Sequence, residues 1–207
     1  IMLFKFLIPI LSIIIFLSGC SASYKQLSTM ENKTPSNFQE HLLNEYKKRA
    51  TFEAEKMHDW NSAKLYSEKA LKSLETDNVF PEEPSYWKLP KKNTNEISIA
   101  YNNLMTIYED AKNRDPYNLA KAISSLDCWS EQQEENWQIW DINKCKEDYL
   151  NAMHKIYEKI SIKNDNISLS NNKDNDSKYK LKDDLTIITK NKNEDLIQVI
   201  YFDFDKF

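Results

Sequence analysis

Three cysteines, Cys20, Cys128 and Cys145, carry the most reactive side chains in this sequence. A thiol can be acylated, can bridge to another thiol or can attack as a thiolate. Cys128 and Cys145 lie about 17 residues apart, and closing a loop of that size is worth about 3 kcal/mol in the chain-entropy account. They read as a bridge, as two buried free thiols or as one nucleophile beside a spare thiol. The carboxylates come next. Glu131, Glu134 and Glu135 flank Trp129 and Trp137, an acidic-aromatic group able to take a sugar or a cation. The expectation is the plainer one, a solvated helix end beside core aromatics. His41, His58 and His154 are scattered outside any recognised zinc motif, so no metal ligand is assigned. Asp203 and Asp205 form an acid pair near the end of the sequence. With no other part of a site beside them, they carry no catalytic assignment.

Composition narrows the field further. Gly19 is the single glycine among 207 residues. Dinucleotide-binding loops, phosphate loops and nucleophile elbows all need backbone positions that glycine alone tolerates. All-β folds with tight hairpins are disfavoured for the same reason. The formal charge of −4 offers no basic patch for nucleic acid. Neither an enzyme nor a cofactor is expected.

The first twenty residues differ from the rest. Lys5 supplies a short positive region, and Phe6 to Leu17 form an apolar run broken by Pro9 and Ser12. About 12 residues is too short for a hydrocarbon core roughly 30 Å thick, so the run reads as a secretory signal and not as a span. It closes on Leu17-Ser18-Gly19-Cys20. That ending resembles the bacterial lipobox, in which the cysteine thiol receives diacylglycerol and becomes the mature N-terminus. The resemblance implies a lipoprotein signal over 1–19 and lipidation at Cys20. Ser21 in place of aspartate implies the outer membrane, periplasmic face. Several acyl chains hold far more firmly than one, at about 0.8 kcal/mol per buried CH₂. Removing Lys5 with the leader takes the charge from −4 to −5. An oxidising compartment then favours the Cys128–Cys145 disulfide over free thiols.

The elements that must position these residues are helical. Residues 20–36 are polar and read as a tether. From 37 to 160 apolar residues recur at spacings of three and four, as in Leu43, Tyr46, Ala50, Ala54 and Met57. Further stripes are Trp60, Ala63, Tyr66, Ala70 and Leu74; Ile97, Ala100, Leu104, Ile107 and Ala111; and Leu119, Ala122, Ile123 and Leu126. A last one runs through Ile142, Cys145, Tyr149, Met153, Ile156 and Ile160. Each predicts an amphipathic helix with one buried face. Asp115-Pro116 reads as a helix start. Pro81, Pro84 and Pro90 mark a loop over 76–95, with Tyr86 and Trp87 as its anchors. Trp60-Asn61-Ser62-Ala63-Lys64 resembles Tyr117-Asn118-Leu119-Ala120-Lys121, each opening the second helix of a hairpin. The fold class expected is mainly α, either a helical bundle or tetratricopeptide-like hairpins.

Over 161–195, 24 of 35 residues are Asn, Asp, Lys or Ser, too polar to offset chain entropy, so a disordered spacer is expected. Residues 196–207 read as a β-strand without partners. Within them, Val199-Ile200-Tyr201-Phe202-Asp203-Phe204-Asp205-Lys206 resembles the opening strand of the OmpA-like peptidoglycan-binding domain. Asp127-Cys128-Trp129-Ser130-Glu131-Gln132-Gln133-Glu134-Glu135-Asn136-Trp137-Gln138, with Asp141, Ile142 and Cys145, resembles a segment of alphaproteobacterial OmpA-family lipoproteins. The resemblance implies a non-catalytic envelope lipoprotein that ties outer-membrane lipid, through Cys20, to peptidoglycan. The aspartate and arginine that hold the wall peptide in that family lie beyond Phe207, so the sequence reads as a fragment. The alternative expectation is an adaptor whose helical region binds a protein partner.

Overall fold

The computed structural model describes the backbone of residues 22–168 and side-chain surroundings through 161. The described residues fall within the first of two units into which the chain divides, the boundary lying between Ser168 and Leu169. They form six α-helices: α1 (Ala22–Ser28), α2 (Phe38–Phe52), α3 (Trp60–Lys72), α4 (Lys91–Arg114), α5 (Pro116–Glu135) and α6 (Ile139–Ser168). A π-helical turn, Glu53–Met57, continues α2, and a short 3₁₀ turn, Pro84–Tyr86, lies in the proline loop. No strand occurs among the described residues. None of the described helices is long and apolar enough to cross a membrane.

Local chemistry sets the helix ends. Asn37 caps α2 by accepting from the Glu40 N–H at 2.9 Å, and Glu40 reaches back to the Ser36 N–H and hydroxyl. Asp59 caps α3 through the N–H groups of Asn61 and Ser62. Asp115 caps α5 with Pro116 in the first turn, as expected. Asn136, at φ 54°, ends α5 in the left-handed conformation usually given to glycine, and His58, at φ 58°, ends the π turn in the same way. In a chain with one glycine, polar residues take over this duty.

α5 is the centre of the bundle. It packs against α2, α4 and α6, while α3 lies on α2 and α4 also meets α6. Fifteen of its 20 residues are buried. The stripe Leu119, Ala122, Ile123 and Leu126 predicts one buried face, but α5 is covered nearly all round. Ala120, Ser124, Ser125 and Ser130 are small enough to let neighbours close on the other sides. The α4 and α6 stripes are buried as predicted. In the stripe along α3 Ala63, Tyr66 and Ala70 are buried, while Trp60 and Leu74 are exposed.

Trp60 and Tyr117 do open the second helices of two hairpins, each after an aspartate cap. The hairpins do not stack as a tetratricopeptide array would. The first helix of one, α2, packs on the second helix of the other, α5, which gives a bundle.

Three boundaries differ from expectation, one being the proline loop, which ends at Pro90 and not at 95 because α4 starts at Lys91. Within 20–36, read as a tether, α1 forms and packs on α2 and α3. Leu27 is fully buried there, and Lys47 Nζ donates to the Met30 carbonyl at 2.6 Å. Tyr24 and Met30 pack beside Leu27, and the Tyr24 hydroxyl donates to Glu55, so a few contacts seat a segment whose composition is polar. α6 runs to Ser168, past the boundary expected at 160. The spacer from 169 to 195 and the strand at 196–207 lie outside the described residues.

Candidate functional site

Cys128 on α5 and Cys145 on α6 are joined as a disulfide, with Cα atoms 5.7 Å apart. The α5–α6 turn brings the two helices side by side, so residues 17 apart meet. The bridge is buried and flanked by Arg49 of α2. The guanidinium donates to Ser125 Oγ at 3.2 Å and approaches Cys145 Sγ at 3.7 Å and Asp148 at 3.8 Å. Trp129 packs on Tyr149, and the Tyr149 hydroxyl donates to the Ala100 carbonyl at 2.6 Å, tying α6 to α4. Cys20 lies outside the described residues, as do Asp203 and Asp205.

Two buried polar clusters stand on α5, four residues apart. The first surrounds Asp127, which is fully buried. Its Oδ2 accepts from the Tyr46 hydroxyl at 2.6 Å and from Lys69 Nζ at 2.7 Å, and its Oδ1 accepts from the Glu82 N–H at 2.7 Å. Lys69 also donates to Glu82 Oε1 at 2.9 Å and lies 5.5 Å from the Tyr46 ring centre. Desolvation, with the Asp127 charge second, pushes the Tyr46 hydroxyl well above its ordinary range. Every group here has its partner, so the cluster is architectural. It fastens α2, α3 and the proline loop to α5.

The second cluster surrounds Glu131, which is 3% exposed. It is not the solvated helix end expected of it. Glu131 Oε1 accepts from Ser62 Oγ at 2.7 Å, and Oε2 accepts from Gln132 Nε2 at 2.8 Å and lies 3.5 Å from the Tyr66 hydroxyl. Carboxylate oxygens of Asp59, Glu131 and Glu135 lie within 4.8 Å of one another. Glu53, on the π turn, is 1% exposed. Burial first, then the charge of Glu131, raises its pKa from 4.5 to about 8. Burial raises Glu131 to about 7, opposed by its hydrogen bonds from Ser62 and Gln132. Glu135 is also raised, chiefly by desolvation.

Glu134 stands apart from this group and accepts from the Lys88 N–H at 3.0 Å. Trp137 is exposed, and its Nε1 donates to Glu135 Oε2 at 3.2 Å. With Ile139 and Trp140 it forms an apolar tip at the α5–α6 turn, the three being 64%, 59% and 67% exposed. His58 ends the π turn directly before Asp59. His154 pairs with Glu158 one turn on, at 3.2 Å, and His41 stacks edge-on against Tyr117.

Glu53, Asp59, Lys69 and Asp127 carry no chemistry expected from the sequence alone. One signal was there. Asp127, Glu131 and Glu135 recur every four residues and so share one face of α5. That their partners are α3, the π turn and the proline loop is tertiary information. No protein-family model, no curated protein and no solved structure matches the chain.

Proposed function

We propose that this chain is a non-catalytic lipoprotein of the cell envelope, held to the outer membrane through Cys20. Its full-length form would tether that membrane to peptidoglycan. The supporting observation is the distribution of the cysteines: Cys128 and Cys145 are spent on a disulfide inside the bundle. Cys20 is then left as the one thiol, directly after an apolar leader and small residues. A structural disulfide suits an oxidising compartment, and the lipobox resemblance points to the same place. The OmpA-like run at 199–206 supports a wall-binding partner beyond the helical bundle.

The test is metabolic labelling with radioactive palmitate in a Gram-negative host, using the native sequence and Cys20→Ala. The native chain takes up label and sediments with outer membranes, and Cys20→Ala does neither. An unlabelled native chain sinks the lipoprotein reading. Sedimentation of the full-length gene product with purified sacculi tests the tether separately.

The exposed tip of Trp137, Ile139 and Trp140 favours a second reading, an adaptor that docks a protein partner there. Trp140→Ala would abolish capture of such a partner while leaving lipidation and sacculus sedimentation unchanged.

A further inference from the structure

We propose that Trp137, Ile139 and Trp140 form a second membrane contact, lying in the lipid surface to which Cys20 holds the chain. On the lipoprotein reading, on which this rests, the tip decides which end of the bundle faces the bilayer. Contacts place the tip and the start of α1 at one end. Tyr24, in the first turn of α1, packs edge-on against Trp60 with ring centres 6.1 Å apart, and its hydroxyl donates to Glu55 Oε1 at 3.0 Å. Trp60 follows Asp59, and carboxylate oxygens of Asp59, Glu131 and Glu135 lie within 4.8 Å of one another. Glu135 in turn accepts from Trp137 Nε1 at 3.2 Å. The start of α1, the start of α3 and the α5–α6 turn are thus neighbours. Cys20 precedes Ala22, the first residue of α1, by two residues, a chain length of about 7 Å at most. Across the 20 residues of α5, the α4–α5 junction at Asp115 stands about 30 Å away. A lipid on Cys20 therefore sets the end that bears the tip against the bilayer.

The tip has the chemistry of an interfacial anchor. Its three side chains are the most exposed large apolar groups among the described residues. An indole is apolar over its ring and polar at its N–H, which suits it to the headgroup level of a membrane. Trp60, also exposed, adds a third indole at the same end. The backbone behind the tip is firmly held. Gln138 is buried between Trp137 and Ile139, and its carbonyl accepts from the N–H groups of Asp141 and Ile142, both at 3.1 Å. Ile142 is buried, and the Cys128–Cys145 bridge joins the two helices. The apolar groups are thus held out in water by an ordered turn, at a cost that a lipid surface relieves. Charge selects the lipid. Glu55, Lys56, Glu135 and Asp141 stand at this end, a mixed set without the run of Lys and Arg that draws acidic lipid. A zwitterionic surface fits. A protein partner would not require the tip to sit beside the start of α1.

The experiment uses the full chain, expressed with palmitate label in a Gram-negative host. The purified protein is reconstituted in phosphatidylcholine vesicles whose acyl chains carry bromine, a contact quencher of indole. The label reports the anchor, and the quenching reports the tip. Trp137 and Trp140 are two of five tryptophans, and Trp87 and Trp129 are buried, so the expected loss of emission against unbrominated vesicles is about one third. Trp137→Phe with Trp140→Phe removes most of that quenching and keeps the helical spectrum and the Tm, both side chains being exposed. Ile139→Asp leaves both indoles in place and lowers the quenching as well. A labelled chain whose emission bromine does not touch overturns the contact and leaves the anchor standing, the tip then being free for a protein partner. Full quenching in the double variant also overturns it, since another face then meets the lipid. An unlabelled chain overturns anchor and contact together.

Discussion

At the residue scale, the buried carboxylates of α5 show how neighbours set the role of a charge. Asp127 has three donors, one of them the ammonium of Lys69. Asp127→Ala would leave that ammonium buried with Glu82 alone, and breaking a buried pair in this way costs about 3–5 kcal/mol. The urea midpoint should fall accordingly, with the m-value unchanged. Glu53 is the opposite case, an acid 1% exposed with no side-chain donor among the described residues. Its folded pKa of about 8 lies above the ordinary 4.5, so the folded state holds its proton longer than the unfolded state. Stability from this group is greatest below about pH 4.5 and falls as pH rises toward about 8. The Tm of the native chain should decline across that window. Glu53→Gln should flatten the decline and raise the Tm at pH 8 by more than at pH 5. Equal slopes in the two proteins would refute this account.

At the element scale, the α5–α6 hairpin is fixed by a turn and a bridge. Asn136 holds φ 54° at the end of α5, a conformation that strains residues bearing Cβ and suits Asn and Gly. Asn136→Ala should cost about 1 kcal/mol and Asn136→Gly almost nothing, compared by thermal melts. The disulfide closes a loop of 17 residues. Its removal by Cys128→Ser with Cys145→Ser should cost about 2–4 kcal/mol, and reductant should lower the Tm of the native chain and leave that double variant unmoved. The capping Asp115, the proline at the start of α5 and the spacing of most apolar stripes were legible along the chain. The π turn was not. It inserts a wide turn after Phe52 and thereby buries Glu53, and nothing in the periodicity of 43–57 announces it.

At the scale of the whole molecule, the bundle depends on helices that are distant in sequence. α2 and α5 meet through Tyr46 and Asp127, 81 residues apart, and Arg49 reaches across to α5 and α6. Even the leading segment belongs to the core. Leu27 is fully buried in it, so Leu27→Ala should destabilise the fold by about 2–5 kcal/mol. A change below about 0.5 kcal/mol in chemical denaturation would mean that α1 is only loosely seated.

The sequence by itself determined that the fold is helical, where α2, α3 and α5 begin, and which cysteines can pair. These are local properties, set by spacing, caps and the near-absence of glycine. Only the tertiary structure decided that α5 is surrounded, that α1 joins the core, and that Asp59 and Glu53 meet Glu131 and Glu135. Burial depends on which helices pack together, and the same glutamate is a solvated surface group or a buried acid of raised pKa according to what covers it. That choice is made by contacts across tens of residues, which no local pattern encodes.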